Sequence, residues 1–451
     1  MNKKSIIPNS PMEIICLDDF SPEVVAMLQA LYSRDPRSVL IHIQNIKEGG
    51  AEKFMSSYYV GYGHKSIGDC GTITLCVENV SMFTAKAIQD WPLYSGQEAS
   101  TRYLDMGAQP VINILDTDEG KNILVDQMKF YSDLLETLIR QLPEEYPRYD
   151  SEDEKIYNKT IKAKAFDIAR GFLPAGVTTY VSWHTNLRQA ADHLKEMRYH
   201  PLREIREVAE KITATLKEKY PSSFGHKRYD KDEEYLEKVI PIVSFNDDML
   251  FNDGHGELSA TISIDTDFIK RYKSLFLLRP ENSELPKQAR LCGDVTFKFL
   301  LDFGSFRDWQ RQRAVTTAMP LLSTNFGFEK WYLNQIRDTE TRKYTERFIS
   351  EMETRVNNLE CSNEDRQYYI PMGYRTPCEV RGPISAAIYA CELRTKQTVH
   401  PTLRIVAKQM GRNIEHHITQ ALGEKYSLHC DYSEDEWSLR RGTQDIVKKE
   451  S

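Results

Sequence analysis

Apolar and polar residues alternate over Gly71–Val77 (GTITLCV), with β-branched side chains among them, and this predicts a half-buried strand. The segment that follows, Ser81–Gln89, is rich in helix formers. Pro92 ends that helix, because proline pushes the residue before it out of the α region. The same signals return at Gly293–Leu301 (GDVTFKFLL), a second strand, and at Ser305–Met319, a second helix stopped by Pro320. Further along each half, Phe172–Gly176 (FLPAG) parallels Tyr369–Gly373 (YIPMG), and each is expected to open a helical stretch. His200-Pro201 and His400-Pro401 then precede amphipathic helices over Leu202–Lys219 and Thr402–Leu422, apolar at three- and four-residue spacing. Two similar halves are expected, 1–225 and 226–451, with the charged stretch His226–Lys238 at their boundary. That stretch and Glu144–Lys162 read as solvated surface, and the tail after Glu434 as charged and without regular structure.

Composition narrows the function classes. A chain of 451 residues with 40% hydrophobic and 10% aromatic content has the means to bury real cores in more than one domain. A formal charge of −7, with lysines and arginines dispersed, argues against bulk nucleic-acid binding and leaves room for a local basic pocket. No apolar run approaches the ~18 residues a membrane span requires. The opening MNKKSIIPNSPMEI has no apolar signal core, so a cytoplasmic location is expected. The eight cysteines form no Cys-x-x-Cys pair and no cysteine–histidine cluster of zinc-binding spacing, so no metal site is expected.

The candidate chemistry sits just after each strand–helix pair. Val80–Tyr103 and Gly304–Phe326 read as two diverged copies of one arginine-rich site. The second copy holds Arg311-Gln312-Arg313 within FRDWQRQR, and guanidinium forks at a helix end suit phosphate oxygens. The first has Asp90-Trp91-Pro92 in that place and keeps Gln97-Glu98-Ala99-Ser100-Thr101-Arg102-Tyr103 downstream. In an extended segment Glu98, Ser100 and Arg102 would line one wall, offering an acceptor, a hydroxyl and a guanidinium. Gly63-His64-Lys65-Ser66 is a further polar cluster.

Together these residues resemble the flavin-dependent thymidylate synthase (ThyX) family. Gly63-His64-Lys65-Ser66 is similar to the family's Gly-His turn. Ser95–Tyr103 is similar to the second half of its long motif, with Gln97 in place of asparagine, and Arg311-Gln312-Arg313 to its Arg-His-Arg. In the second copy the glutamate, serine and arginine positions fall on Met319, Leu321 and Ser323. Ile168–Pro174 resembles the family's Ala-Arg-x-x-Leu-Pro, and Trp183–Arg188 its Trp-x-x-Asn-x-Arg.

The resemblance implies an α+β fold of two ThyX-like domains in tandem, each a mixed helical layer on an antiparallel sheet. It implies reductive methylation of dUMP to dTMP, with FAD as cofactor and NADPH and methylenetetrahydrofolate as co-substrates, and with no enzyme nucleophile. Arg198 and Arg394 are the candidates for activating the pyrimidine. His64, Ser66, Arg311, Gln312 and Arg313 are the candidates for the flavin. Gln97, Glu98, Ser100, Arg102, Tyr103, Arg170, Asn186 and Arg188 are the candidates for the nucleotide. Asp90 would repel a phosphate, so the implied site is composite, between the halves. A homodimer would reproduce the family's tetramer, with a small molecule and neither nucleic acid nor membrane as partner. Two other readings stand: a non-catalytic nucleotide- or flavin-binding descendant serving as sensor or scaffold, and a related flavin-dependent uracil-modifying enzyme.

Overall fold

The computed structural model describes residues 15, 17, 20–35, 37–44, 46, 50–102, 104–150, 152–245 and 258–434. Tyr103 and the tail beyond Glu434 lie outside them. The chain forms two compact units. Unit 1 takes residues up to Thr74, with His184–Lys195 and Glu210–Tyr229; unit 2 takes Leu75–Trp183, Glu196–Ala209 and Asp230 onward.

Unit 1 opens with helices α1 (Pro22–Tyr32), α2 (Val39–Gln44) and α3 (Gly50–Phe54), a π-helical turn over Met55–Gly61, and the short α4 (Lys65–Gly68). Strand β1 (Thr72–Ser81) then runs into unit 2 and feeds α5 (Met82–Gln89), α6 (Asp118–Glu145) and α7 (Glu154–Ala169). After a 3-10 turn at Arg170–Phe172 come β2 (Thr178–Asn186), α8 (Leu187–Met197), α9 (Arg203–Lys219) and α10 (Asp230–Ser244). The rest of unit 2 is β3 (Ser259–Ile264), α11 (Thr266–Arg271), α12 (Lys273–Leu277), β4 (Gly293–Asp302), α13 (Phe303–Gln310), β5 (Thr316–Ala318), α14 (Lys330–Asn334), α15 (Thr339–Asn357), α16 (Asn363–Arg366), a 3-10 turn at Gln367–Tyr369, β6 (Arg375–Pro383), α17 (Ile384–Arg394) and α18 (Pro401–Leu422). β1 pairs with β2, and an antiparallel sheet runs β3-β4-β6-β5. The fold is therefore α+β.

The strand–helix signals hold, with two corrections. The helix expected over Ser305–Met319 stops at Gln310; Thr316–Ala318 is strand β5, paired with Glu379–Arg381 of β6. The β-branched Val315-Thr316-Thr317 favour extended backbone over another helical turn. FLPAG and YIPMG do not open helices either. Each leads into a strand, β2 or β6, whose side chains alternate between core and surface (Thr178 to Trp183 are buried except Tyr180 and Ser182).

Those two loops face each other. Pro174 bridges Pro371 in antiparallel sense. The Ala175 N–H donates to the Ile370 carbonyl (2.9 Å) and, reciprocally, the Met372 N–H donates to the Leu173 carbonyl (2.8 Å). One step outward, Gly176 N–H donates to Tyr368 (2.9 Å) and Gly373 N–H to Gly171 (2.7 Å). This reciprocal pattern is that of a local twofold axis between matching segments. Around it unit 2 packs residues from both sequence halves in one core, with Phe83 of α5 stacked on Phe303 of α13 (centroids 4.9 Å) and tilted on Tyr368 (5.3 Å).

The close approach requires glycine. A Cβ at Gly176 would stand 2.7 Å from the Tyr368 carbonyl oxygen, and one at Gly373 would stand 2.8 Å from that of Gly171. Gly176→Ala and Gly373→Ala should each destabilise unit 2 by about 1–3 kcal/mol, the usual cost of overpacking. Gly50→Ala, where a Cβ meets nothing within 4 Å, should stay near neutral. Urea unfolding of the three variants checks this.

Candidate functional site

The motif after α5 lies along the edge of β2. The Ala99 N–H donates to the Tyr180 carbonyl (3.0 Å), Ser182 N–H to Gln97 (2.8 Å), and Glu98 bridges Val181. Gly96 permits this, since a Cβ there would meet the Ser182 carbonyl oxygen at 1.9 Å. Held in this way, the Glu98 side chain turns into the protein, 1% exposed, instead of lining an open wall with Ser100 and Arg102. It is ion-paired with Arg307, accepts from Arg311 (2.7 Å), and accepts from the Gln89 amide (2.9 Å).

Helix α13 supplies the other side. Its N-cap Asp302 accepts from the Ser305 N–H (2.9 Å), and its inner turns bury Arg307, Trp309 and Gln310. Arg307 and Asp308 thus face the Glu98–Arg102 segment, and Arg311 caps the helix C-terminus, where a cation suits the helix dipole. Ala99, Ser100, Thr101, Arg102, Arg170, Gly304, Arg307, Asp308 and Arg311 line one cleft in unit 2.

Each guanidinium there is oriented. Arg102 is bidentate to Asp167 (2.5 and 2.7 Å) and donates to the Thr398 carbonyl (2.6 Å). Arg170, fully buried, donates to Ser305 Oγ (2.6 Å) and lies 3.8 Å from Asp302. Its Nε has no hydrogen-bond partner among the described residues. Arg394 donates to the Asp308 carbonyl (2.5 Å). Burial and the neighbouring Arg311 pull the Arg307 guanidinium down to about 9, which leaves it protonated at neutral pH. Burial alone would raise the Asp308 carboxyl, but Arg311, Arg394, Arg170 and Arg102 together hold it well below the ordinary range. The cleft is a concentrated cationic field.

Residues 17–222 match the family model described as Thy1, thymidylate synthase complementing protein. The family resemblance is thereby supported over residues 17–222. A UPF0159 protein of Chlamydia pneumoniae is 25% identical over 418 residues, covering 81% of this chain and 78% of the relative. A UPF0159 protein of Thermoplasma acidophilum is 22% identical over 463 residues, covering 86% and 92%. A solved UMP/dUMP methylase, PolB from Streptomyces cacaoi bound with 5-Br dUMP, aligns with 46% of this chain and 91% of its own at 18% identity. Its TM-score of 0.32 is too low to carry an inference.

The remaining Thy1-motif candidates fall elsewhere. Arg313 donates to the Tyr94 carbonyl, and Gln97 is exposed. Gln312 lines a second cleft, with Lys287, Arg290, Ser385 and Tyr389 among its walls. Arg198, unlike Arg394, pairs with Glu233 of α10 (3.6 Å). His64, Ser66, Asn186 and Arg188 belong to unit 1. There His64 and Ser66 are exposed, Asn186 Oδ1 caps α8 through the Gln189 N–H (2.8 Å), and Arg188 pairs with Asp69 (2.7 Å).

Sequence motifs missed the groups behind Arg170. Ser305 Oγ shares a hydrogen bond with Thr402 Oγ1 (2.8 Å), Thr402 donates to Asp302 (2.6 Å), and Tyr332 donates to Asp302 (2.9 Å). His400, fully buried, places Nδ1 at 2.8 Å from Thr402 Oγ1 and Nε2 at 3.2 Å from the Asp167 carbonyl. The carbonyl can only accept, so Nε2 carries the hydrogen. The recurring His-Pro pair was the available signal, and it was read only as a helix start.

Removing Glu98 leaves Arg307 buried without a counter-charge. Glu98→Ala should therefore cost about 3–5 kcal/mol in urea unfolding. His400 gives a pH signature. Burial, then Arg170, hold its pKa well below 6.5. The unfolded chain gains a proton near that value which the native state refuses. Stability is thus full above about pH 6.5 and is lost as pH falls below it, by up to about 1.4 kcal/mol per unit. His400→Gln should flatten the stability profile between pH 7 and 5.5 by one proton; an unchanged slope would show that His400 titrates freely.

Proposed function

We propose that this chain is a tandem, ThyX-like, FAD-dependent enzyme that reductively methylates dUMP to dTMP at a composite site between its two sequence halves, 1–225 and 226–451. The observation that supports this most directly is the meeting of the Glu98–Arg102 motif from one half with Arg307, Asp308 and Arg311 from the other in one cleft. Arginine forks are suited to phosphate, and the cleft offers Arg102 and Arg170 to the nucleotide's 5′-phosphate beside the Ser100 hydroxyl.

The residues present also fit a flavin diphosphate. Gln312 shares its cleft with Lys287 and Arg290, and with Ser385 at the start of α17, a helix whose N-terminus has no side-chain cap. Helix N-termini of this kind accept anions. Arg311 is 40% exposed and Arg313 turns one guanidinium end to the Tyr94 carbonyl, leaving further N–H donors on each fork. When bound, the flavin, reduced by NADPH, would supply the reducing equivalents, with methylenetetrahydrofolate supplying the carbon. The chain's own contribution is electrostatic: Arg394, held at Asp308, is placed to stabilise charge developing on the uracil. Burial raises the thiols of Cys292, Cys378, Cys391 and Cys430, so none of these is a ready nucleophile. Two such chains would assemble as a homodimer equivalent to four domains.

A second reading is a non-catalytic nucleotide- or flavin-binding descendant. It is favoured by the complete internal pairing of Arg102 with Asp167 and of Glu98 with Arg307 and Arg311. Spectroscopy and turnover separate the two. Protein purified from a flavin-replete host should be yellow, and should convert dUMP when given NADPH and methylenetetrahydrofolate. Binding without turnover supports the descendant, and a colourless protein that refuses added FAD overturns the flavin reading. Arg311→Ala with Arg313→Ala should weaken FAD roughly ten- to a hundredfold. Arg102→Ala should do the same to dUMP and spare FAD, as the loss of about 1.5–3 kcal/mol from one charged hydrogen bond requires.

A further inference from the structure

We infer that the duplicated frame carries one nucleotide-phosphate cleft per chain, and that the symmetry mate of that cleft is filled with protein. This rests on reading the Arg102–Arg311 cleft as a nucleotide-phosphate site. The reciprocal bonds between 171–176 and 368–373 define which positions are mates, and the helix ends Gln89 and Gln310 carry the register through α5 and α13.

Arg170 opens the turn Arg170–Phe172 and lines the cleft opposite Thr101. Its mate, Gln367, opens the turn Gln367–Tyr369 and is fully buried. Gln367 Oε1 accepts the Leu322 N–H (2.8 Å), and Leu322, 2% exposed, stands at the position of Thr101. Where Arg170 and Thr101 leave space, their mates are bonded to each other.

The charges differ in the same sense. Arg311 is matched by Asp90, which reverses the sign. Arg307 is matched by Lys86, whose ammonium lies 5.6 Å from the centroid of the Phe306 ring and 4.0 Å from Asp90. Arg102 is matched by Ser323 and Arg394 by Met197, and Met197 is buried.

The mate also bears a scar. Gln89 donates its amide to Glu98 (2.9 Å). Gln310, its equivalent, is 4% exposed, and among the described residues neither its amide nitrogen nor its amide oxygen has a hydrogen-bond partner. At the place of Glu98 stands Met319, whose thioether is at best a weak acceptor. The frame was retained on both sides of the axis; the acidic anchor and the guanidiniums were retained on one.

Isothermal titration of the full-length protein with dUMP tests this, alongside Arg102→Lys, which keeps the charge and loses the fork, and Asp90→Asn in the mate. The expected result is one dUMP per chain, weakened at least tenfold by Arg102→Lys and unchanged in affinity and stoichiometry by Asp90→Asn. Two dUMP per chain would overturn the inference and leave the functional reading standing. One dUMP that responds to Asp90→Asn and ignores Arg102→Lys would place the site in the mate, and also overturns it. No binding at all would overturn both.

Discussion

Guanidiniums repel one another, and a group such as Arg102, Arg170, Arg307, Arg311 and Arg394 can be gathered in one wall only if carboxylates are threaded among them. Glu98 does this at the centre, between Arg307 and Arg311, while Asp167 holds Arg102, Asp302 lies beside Arg170, and Asp308 sits in the combined field. The wall then keeps one cation in excess over these carboxylates. Everything else near the cleft serves that arrangement: the Gly96 approach to β2 that turns Glu98 inward, and the capped start of α13 that turns Arg307 toward it.

The frame beneath is set by backbone bonds, which constrain side-chain identity chiefly at Gly176 and Gly373. The reciprocal pairing of FLPAG with YIPMG fixes how α5 and α13 approach, whatever their side chains are. This separates geometry from chemistry. The N-cap of α5 is Ser81, bonded by Glu204 from α9, and the N-cap of α13 is Asp302, bonded by Thr402 from α18. One acid and one hydroxyl meet at each helix start, but they have exchanged places. Such a swap preserves the cap while moving a negative charge toward the Arg170 side of the axis.

Much of this was legible in the sequence where signals are local. The strands over 72–81 and 293–302 follow from period-two alternation, and the end of α5 from Pro92. The grouping of Glu98, Ser100, Arg102 and Arg170 with Arg307 and Arg311 was legible as two copies with different losses, but the departure of Arg313 to the Tyr94 carbonyl was not. The inward turn of Glu98 was not, because alternation along a segment gives the side of a wall and not what lies behind it. Arg198 and Arg394 looked equivalent by motif, yet Arg198 meets Glu233 of α10 and Arg394 meets Asp308. Met197, not Arg198, stands at the end of α8 that matches Arg394 at the end of α17, a one-residue register that motif spacing does not resolve. The polar set behind Arg170 was invisible for the same reason: Asp302, Tyr332, His400 and Thr402 are far apart in sequence and share no spacing rule.

Stability alone gives little reason to keep so many buried charges. Replacing a buried ion pair by apolar residues of similar volume is often neutral or stabilising by about 1–4 kcal/mol. In the mate the buried acid has gone that way, with Met319 where the cleft has Glu98, although Lys86 and Asp90 keep charges where the cleft has Arg307 and Arg311. If packing were the only demand, both sides could have gone that way. The side that kept its arginines also kept the groups that aim them: Asp167 bidentate on Arg102, and Ser305 on the Nη2 of Arg170 while its Nε stays without a protein partner.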